Sequence, residues 1–214
     1  MVVNTVQRAR VPADVLSQFT EVRDASHRLA LPLSDADATV QSMPDASPAK
    51  WHLAHTTWFF ECMVLAPNQA GYRPFDESFN FLFNSYYETI GDRQPRPRRG
   101  MITRPTLDTV LAYREHVNEA ITRLLEKTSD PTITELVELG CHHEQQHQEL
   151  LLTDILHLFA QNPLQPAYKD PEPLAVDLAA PAAAAWQSFD GGIVEVGHDG
   201  ASFHFDCEGP RHQA

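Results

Sequence analysis

Two short segments hold four of the chain's eleven histidines: Trp51-His52-Leu53-Ala54-His55 and His143-Glu144-Gln145-Gln146-His147. A helix advances about 100° per residue, so His143 and His147 share one face, one turn apart. Two imidazoles so placed can grip one metal ion when a third ligand arrives from another element. Two arbitrary histidines are more often a polar pair on a solvated face. Here Leu136, Leu150 and Leu151 continue the same stripe and turn the pair inward, where an imidazole needs a partner. His52 and His55 sit three apart in a run that is apolar nearly all round, so small rotations of that helix decide which of them faces the centre.

The same residues admit three kinds of metal chemistry. His143-Glu144-Gln145-Gln146-His147 fits H-E-x-x-H, in which both histidines bind zinc and the glutamate is a protease's general base. Its extended form fails, because Leu150 stands where glycine is required. A di-iron carboxylate bundle needs two E-x-x-H motifs, and Glu144 to His147 supplies one. The third reading is a mononuclear centre with two histidines from one helix and one from another, leaving positions open for water, dioxygen or a thiolate. Gln146, about 60° around the helix from His143, could reach a substrate beside the metal. Glu149, about 200° from His147, points away and is expected to fix a neighbouring element. A basic run, Arg93, Arg96, Arg98, Arg99 and Arg104, reads either as a solvated loop or as a clamp for a substrate carboxylate, which the planar guanidinium fork suits.

Four helices are predicted to position these groups. Val15, Leu16, Phe19, Val22 and Leu29 give helical spacing over 12–30, and a loop rich in Asp, Ser and Pro fills 31–46. A second helix opens at Ser47-Pro48 and runs to about Leu65, stopped by Pro67. A long connection, 67–105, carries Phe75, Phe79, Phe81, Phe83, Tyr86 and Tyr87, an aromatic content that argues against disorder. A third helix spans Thr106 to about Lys127, and Asp130-Pro131 caps a fourth over about 132–160. The expected fold is mainly α, a four-helix bundle with a long crossover between helices 2 and 3, then a linker and a short β fragment. The expected domains are 1–162 for the bundle, 163–185 for a Pro/Ala-rich linker, and 186–214 for strand-and-turn texture that cannot bury a core alone.

Sixteen basic against 29 acidic residues give a formal net charge of −13, which repels nucleic-acid phosphates and anionic membranes at long range. No apolar run approaches the roughly 20 residues of a membrane span. The start of the chain lacks the pattern of a secretory signal. Cys62, Cys141 and Cys207 are odd in number and far apart, which fits a reducing cytoplasm.

At these residues the sequence resembles a known family. Trp51 to Glu61, the H-x-x-x-H-x-E pattern of His143, His147 and Glu149, Asn84-Ser85-Tyr86-Tyr87, and Arg99 to Thr106 resemble the N-terminal DinB-like domain of the EgtB sulfoxide synthases of ergothioneine biosynthesis. Phe189-Asp190-Gly191-Gly192, Gly197-His198-Asp199-Gly200 and Phe205 to His212 resemble the opening of the formylglycine-generating-enzyme-like domain that follows in that family. The resemblance implies a non-haem Fe(II) held by His55, His143 and His147, with His52 excluded by the family pattern alone. It implies O2-dependent joining of cysteine or γ-glutamylcysteine to hercynine, with a C–S bond and a sulfoxide as outcome. It places Gln146 on the hercynine side, and Arg93 and Arg96 against the thiol substrate's carboxylate. It puts the catalytic tyrosine in the second domain, so no catalytic residue is expected in the present chain. The chain is expected to be truncated and inactive alone, or to work with a separately encoded second domain. Two alternatives stand beside it: a metal-dependent thiol transferase of the bundle alone, and a non-catalytic bundle in which 186–208 is an interaction surface.

Overall fold

In a computed structural model the described residues are 15–85, 91–170 and 184–214. The predicted helix start at Pro12, Tyr86 and Tyr87 of the connection, and most of the expected linker lie outside them. The chain divides into two compact units, one holding 11–169 and the other holding 1–10 and 170–214.

The first unit is the predicted mainly α bundle. Helix α1 (Val15–Ala30) buries Val15, Phe19, Val22, Arg23, Ser26 and Ala30, the stripe its periodicity specifies. A short α2 (Asp35–Thr39) breaks the expected loop, closed by a capping box between Ser34 and Asp37. Helix α3 (Ala49–Phe59) is buried at every position. It continues without a break into a π-helical turn, Phe60–Leu65, and a last helical turn α4 (Ala66–Asn68) that contains Pro67. The rod therefore outlasts the proline expected to stop it. Its N-cap is Pro48 rather than Ser47. In the π turn, Ala66 N–H reaches back five residues to Glu61 O, and the buried Glu61 carboxylate accepts from Tyr72 Oη at 2.7 Å, Phe75 N at 3.0 Å and Tyr113 Oη at 2.7 Å. This ties the crossover and the next helix to the end of α3.

The crossover contains α5 (Phe79–Phe83), which buries Phe79 and Phe83, and a 3₁₀ turn, Arg96–Met101. Helix α6 (Leu107–Leu125) begins at a Thr106 cap, and α7 (Pro131–Ala160) at Asp130, whose side chain accepts from Thr132 N with Pro131 in the first turn. Helix α3 packs on both α6 and α7, and α1 lies along α7. Among the described residues no helix is long and apolar enough to cross a membrane.

In the second unit, β1 (Glu195–Val196) pairs antiparallel with β2 (His212–Gln213) in the register Glu195–Gln213 and Val196–His212. Trp186, Phe189, Ile193 and Val194 are exposed there.

Candidate metal centre

The bundle brings His55, His143 and His147 together. One ring nitrogen of each lies within 4.8 Å of the others. His55 comes from α3 and the other two from α7, one turn apart, as their spacing requires. The two helices meet closely because Gly140 lies opposite Phe59 and Phe60. A Cβ at Gly140 would stand 2.4 Å from Phe60 Cε1. Trp51 lies flat against His55, ring centroids 4.6 Å apart and planes 11° from parallel, and Trp58 stacks on it at 5.7 Å.

Hydrogen bonds fix two of the three rings. His55 Nδ1 lies 2.6 Å from Phe83 O, which as a carbonyl only accepts, so Nδ1 carries the proton and Nε2 keeps its lone pair. His147 Nδ1 lies 2.9 Å from His52 Nδ1. His143 Nδ1 is buried with no hydrogen-bond partner. Burial pushes the His143 pKa down to about 4. Burial, and then the neighbouring imidazoles, hold His147 far below the ordinary histidine range, and burial followed by His143 does the same to His55. All three are therefore neutral at pH 7, the ligating form. To hold one ion the three nitrogens would have to close in, a movement that no hydrogen bond at His143 Nδ1 opposes. The residues fit a mononuclear metal, and a set of neutral imidazoles suits iron, zinc or nickel.

A cavity of about 360 Å³ opens over the three rings, lined by Trp51, Ser85, Arg96, Arg99, Gln146 and Leu150 among others. A second cavity, of about 430 Å³, shares Ser85, Arg96 and Arg99 with it and is also lined by Arg93. Gln146 and Arg96 thus line the cavity over the three rings, and Arg93 lines the neighbouring one. Arg93 donates to Ser85 O and Arg96 to Asp45 O. Leu150, expected to face inward, is 44 % exposed at the cavity; the stripe it was assigned to is wider than the buried seam. Glu149 is exposed and does not fix a neighbour as expected. Gln148 takes that role, donating to Val22 O and Ser26 Oγ of α1.

Glu144 is no general base. Arg23 Nη1 and Arg114 Nη2 donate to its two carboxylate oxygens at 2.7 and 2.8 Å, and it is 1 % exposed. Burial alone would raise its pKa, but Arg114 and Arg23 outweigh that and hold it down to about 2. Arg23 also reaches Thr57 and Asn118, so one carboxylate joins α1, α3, α6 and α7.

Three residues of this region escape a reading of motifs. Arg99 is buried, its guanidinium 3.3 Å above the Trp51 ring and donating to Ser47 Oγ and Ser85 Oγ. Asp154 accepts from Ser47 N at 2.8 Å and lies 3.0 Å from His52 Nε2. His52 is the third, directed at His147 rather than at the ion. Asp154 had a signal: it follows His147 by seven residues and so lies within about 20° of the same helical stripe. Arg99 had its place in the basic run and at the head of the Arg99–Thr106 stretch that carries the resemblance.

No curated protein sequence matches the chain. The DinB superfamily matches over residues 18–151, a span from the first turn of α1 past both histidines of α7, and well over half of the 214 residues. With the three-histidine centre inside that span, the chain belongs to the DinB superfamily.

Proposed function

We propose that the bundle is the metal-binding part of a non-haem Fe(II)- and O2-dependent sulfoxide synthase, which joins a cysteine-type thiol to hercynine. The observation that carries this reading is the convergence of three neutral imidazoles under a cavity walled by arginines. The ligand positions coincide with those that the resemblance assigns to iron. Thiol, imidazole C–H and O2 balance to the C–S sulfoxide and one water. When bound, iron would supply the one-electron chemistry with O2 and an electropositive point for the thiolate.

The chain's own residues bind and orient. Arg96, on the cavity over the rings, and Arg93, on the neighbouring one, offer guanidinium donors to the thiol substrate's carboxylate. Gln146 stands beside His143 and His147 on the same cavity, placed for a hydrogen bond to hercynine. Trp51, 2 % exposed, walls off one side of His55 from water. The expected division into bundle, linker and second domain belongs to the same proposal, with the catalytic tyrosine supplied outside the bundle.

Anaerobic reconstitution is expected to give about one iron per chain, lost in His55→Ala and His147→Ala. Oxygen uptake is expected only with thiol and hercynine both present, supplied with the second domain. Full iron content in both variants sinks the reading. A second reading, a metal-dependent thiol transferase, is favoured by one observation: the superfamily match ends at residue 151, within the bundle. Thiol transfer by the zinc- or nickel-loaded chain without oxygen uptake would select it.

A further inference from the structure

His52 lies in the site without belonging to the group of three. It is 3 % exposed on α3, with one ring nitrogen 2.9 Å from His147 Nδ1 and the other 3.0 Å from Asp154 Oδ2. We propose that Asp154 and His52 form a relay that presets the tautomer of His147, so that His147 turns the lone pair of Nε2 toward the metal.

The polarity of the relay follows from its far end. Asp154 Oδ2 already accepts from the Ser47 backbone N–H at 2.8 Å, a donor that cannot reverse. The carboxylate oxygen is therefore an acceptor, and the His52 nitrogen facing it, Nε2, carries a proton. Burial disfavours a second proton on the same ring, so His52 Nδ1 holds a lone pair. Among the described residues the group facing that lone pair is His147 Nδ1, which must then be the N–H. A neutral imidazole has one N–H and one lone pair, so the lone pair of His147 falls on Nε2.

Each step fixes the next, from a backbone amide to a metal-facing nitrogen. His55 reaches the same end in one step, through the Phe83 carbonyl. His147 lies beside α3 rather than beside a free carbonyl, and His52 is the acceptor that α3 offers it. His52 is thus a positioning residue, acting on the metal through His147. Outer partners of this kind typically contribute about 10–100-fold to metal affinity.

The inference rests on the metal reading above, and two measurements on the full chain separate them. Long-range ¹H–¹⁵N correlation spectra of the metal-free, ¹⁵N-histidine-labelled protein report each ring's tautomer, and Co(II) titration reports affinity and coordination. The expected wild-type result is a single Nδ1–H tautomer for His147 with tight Co(II) binding. His52→Leu removes the acceptor and is expected to mix the His147 tautomers and weaken Co(II) binding about 10–100-fold. His52→Gln keeps an acceptor oxygen and is expected to restore most of the affinity, a rescue that loss of packing alone would not give. The proposal is overturned by an Nε2–H tautomer in the wild type, or by a folded His52→Leu chain that keeps wild-type affinity. It is also overturned if both variants lose Co(II) together with one imidazole from its spectrum, since His52 would then be a ligand. The wild-type spectrum decides the polarity even if His52→Leu does not fold. A wild type that shows Nδ1–H at His147 but takes no Co(II) removes the metal reading, and the relay with it.

Discussion

At the residue scale, burial sets the charge state of the three histidines, and two arginines set that of Glu144 against it. Unfolded, His143 takes up a proton below its ordinary value of 6.5; folded, burial keeps it neutral down to about 4. Between those limits the unfolded chain binds more protons, so lowering the pH through this window destabilises the fold. Glu144 adds nothing there: its carboxylate, held down to about 2, contributes stability above its ordinary 4.5 that fades only at lower pH. Urea midpoints of the metal-free protein are therefore expected to start falling as the pH drops below 6.5 and to keep falling below 4, and a flat profile would rule out buried neutral imidazoles. Glu144→Gln leaves Arg23 and Arg114 buried against an uncharged group and is expected to cost about 3–5 kcal/mol in denaturant titration. Metal stoichiometry should not change, whereas a zinc-protease base would leave stability intact and abolish hydrolysis. The pair on α7 was legible because its spacing is a helical turn. The choice between His52 and His55 was not, since a 60° difference on a fully buried helix is settled by what packs against it, here Phe83 O and His147. The Arg23–Glu144–Arg114 triad was also hidden, although Arg23 follows Phe19 by four and Arg114 follows Val110 by four, each inside an apolar stripe.

At the element scale, close contact between α3 and α7 is what lets two rods share one ion. Gly140→Ala improves helix propensity by about 1 kcal/mol, yet its Cβ would meet the Phe60 ring at 2.4 Å. Overpacking of this kind costs about 1–3 kcal/mol. The substitution is expected to lower the urea midpoint, and to weaken Co(II) binding by pushing His143 and His147 away from His55. A gain in stability would show that the helices part freely. Asp130→Ala, which removes the side-chain acceptor for Thr132 N, is expected to cost about 1 kcal/mol and leave metal binding untouched. Helices α1, α6 and α7 were legible from periodicity and caps because each has one polar face. The passage of α3 through Pro67 was not. A π turn changes the register of the backbone hydrogen bonds, and its partner, Glu61, is satisfied by Tyr72 and Tyr113 from distant parts of the sequence.

At the scale of the whole molecule, the core of the described residues lies in one unit. Every buried apolar residue of the cluster lies between Val15 and Ile155, and the centre, its cavity and the Glu144 network lie in the same stretch. A chain shortened to residues 11–169 is expected to keep its melting temperature within a few degrees and its metal stoichiometry unchanged, measured by circular dichroism and Co(II) titration. Collapse of either would show that residues outside 11–169 contribute to the bundle. The stacking of Trp51 and Trp58 on either side of His55 gives the protein its own optical gauge. Two of its three indoles sit against a single liganding ring, so an open-shell ion there should dim the ultraviolet emission while a closed-shell one leaves it bright. Occupancy could then be followed in real time, without a dye or a label.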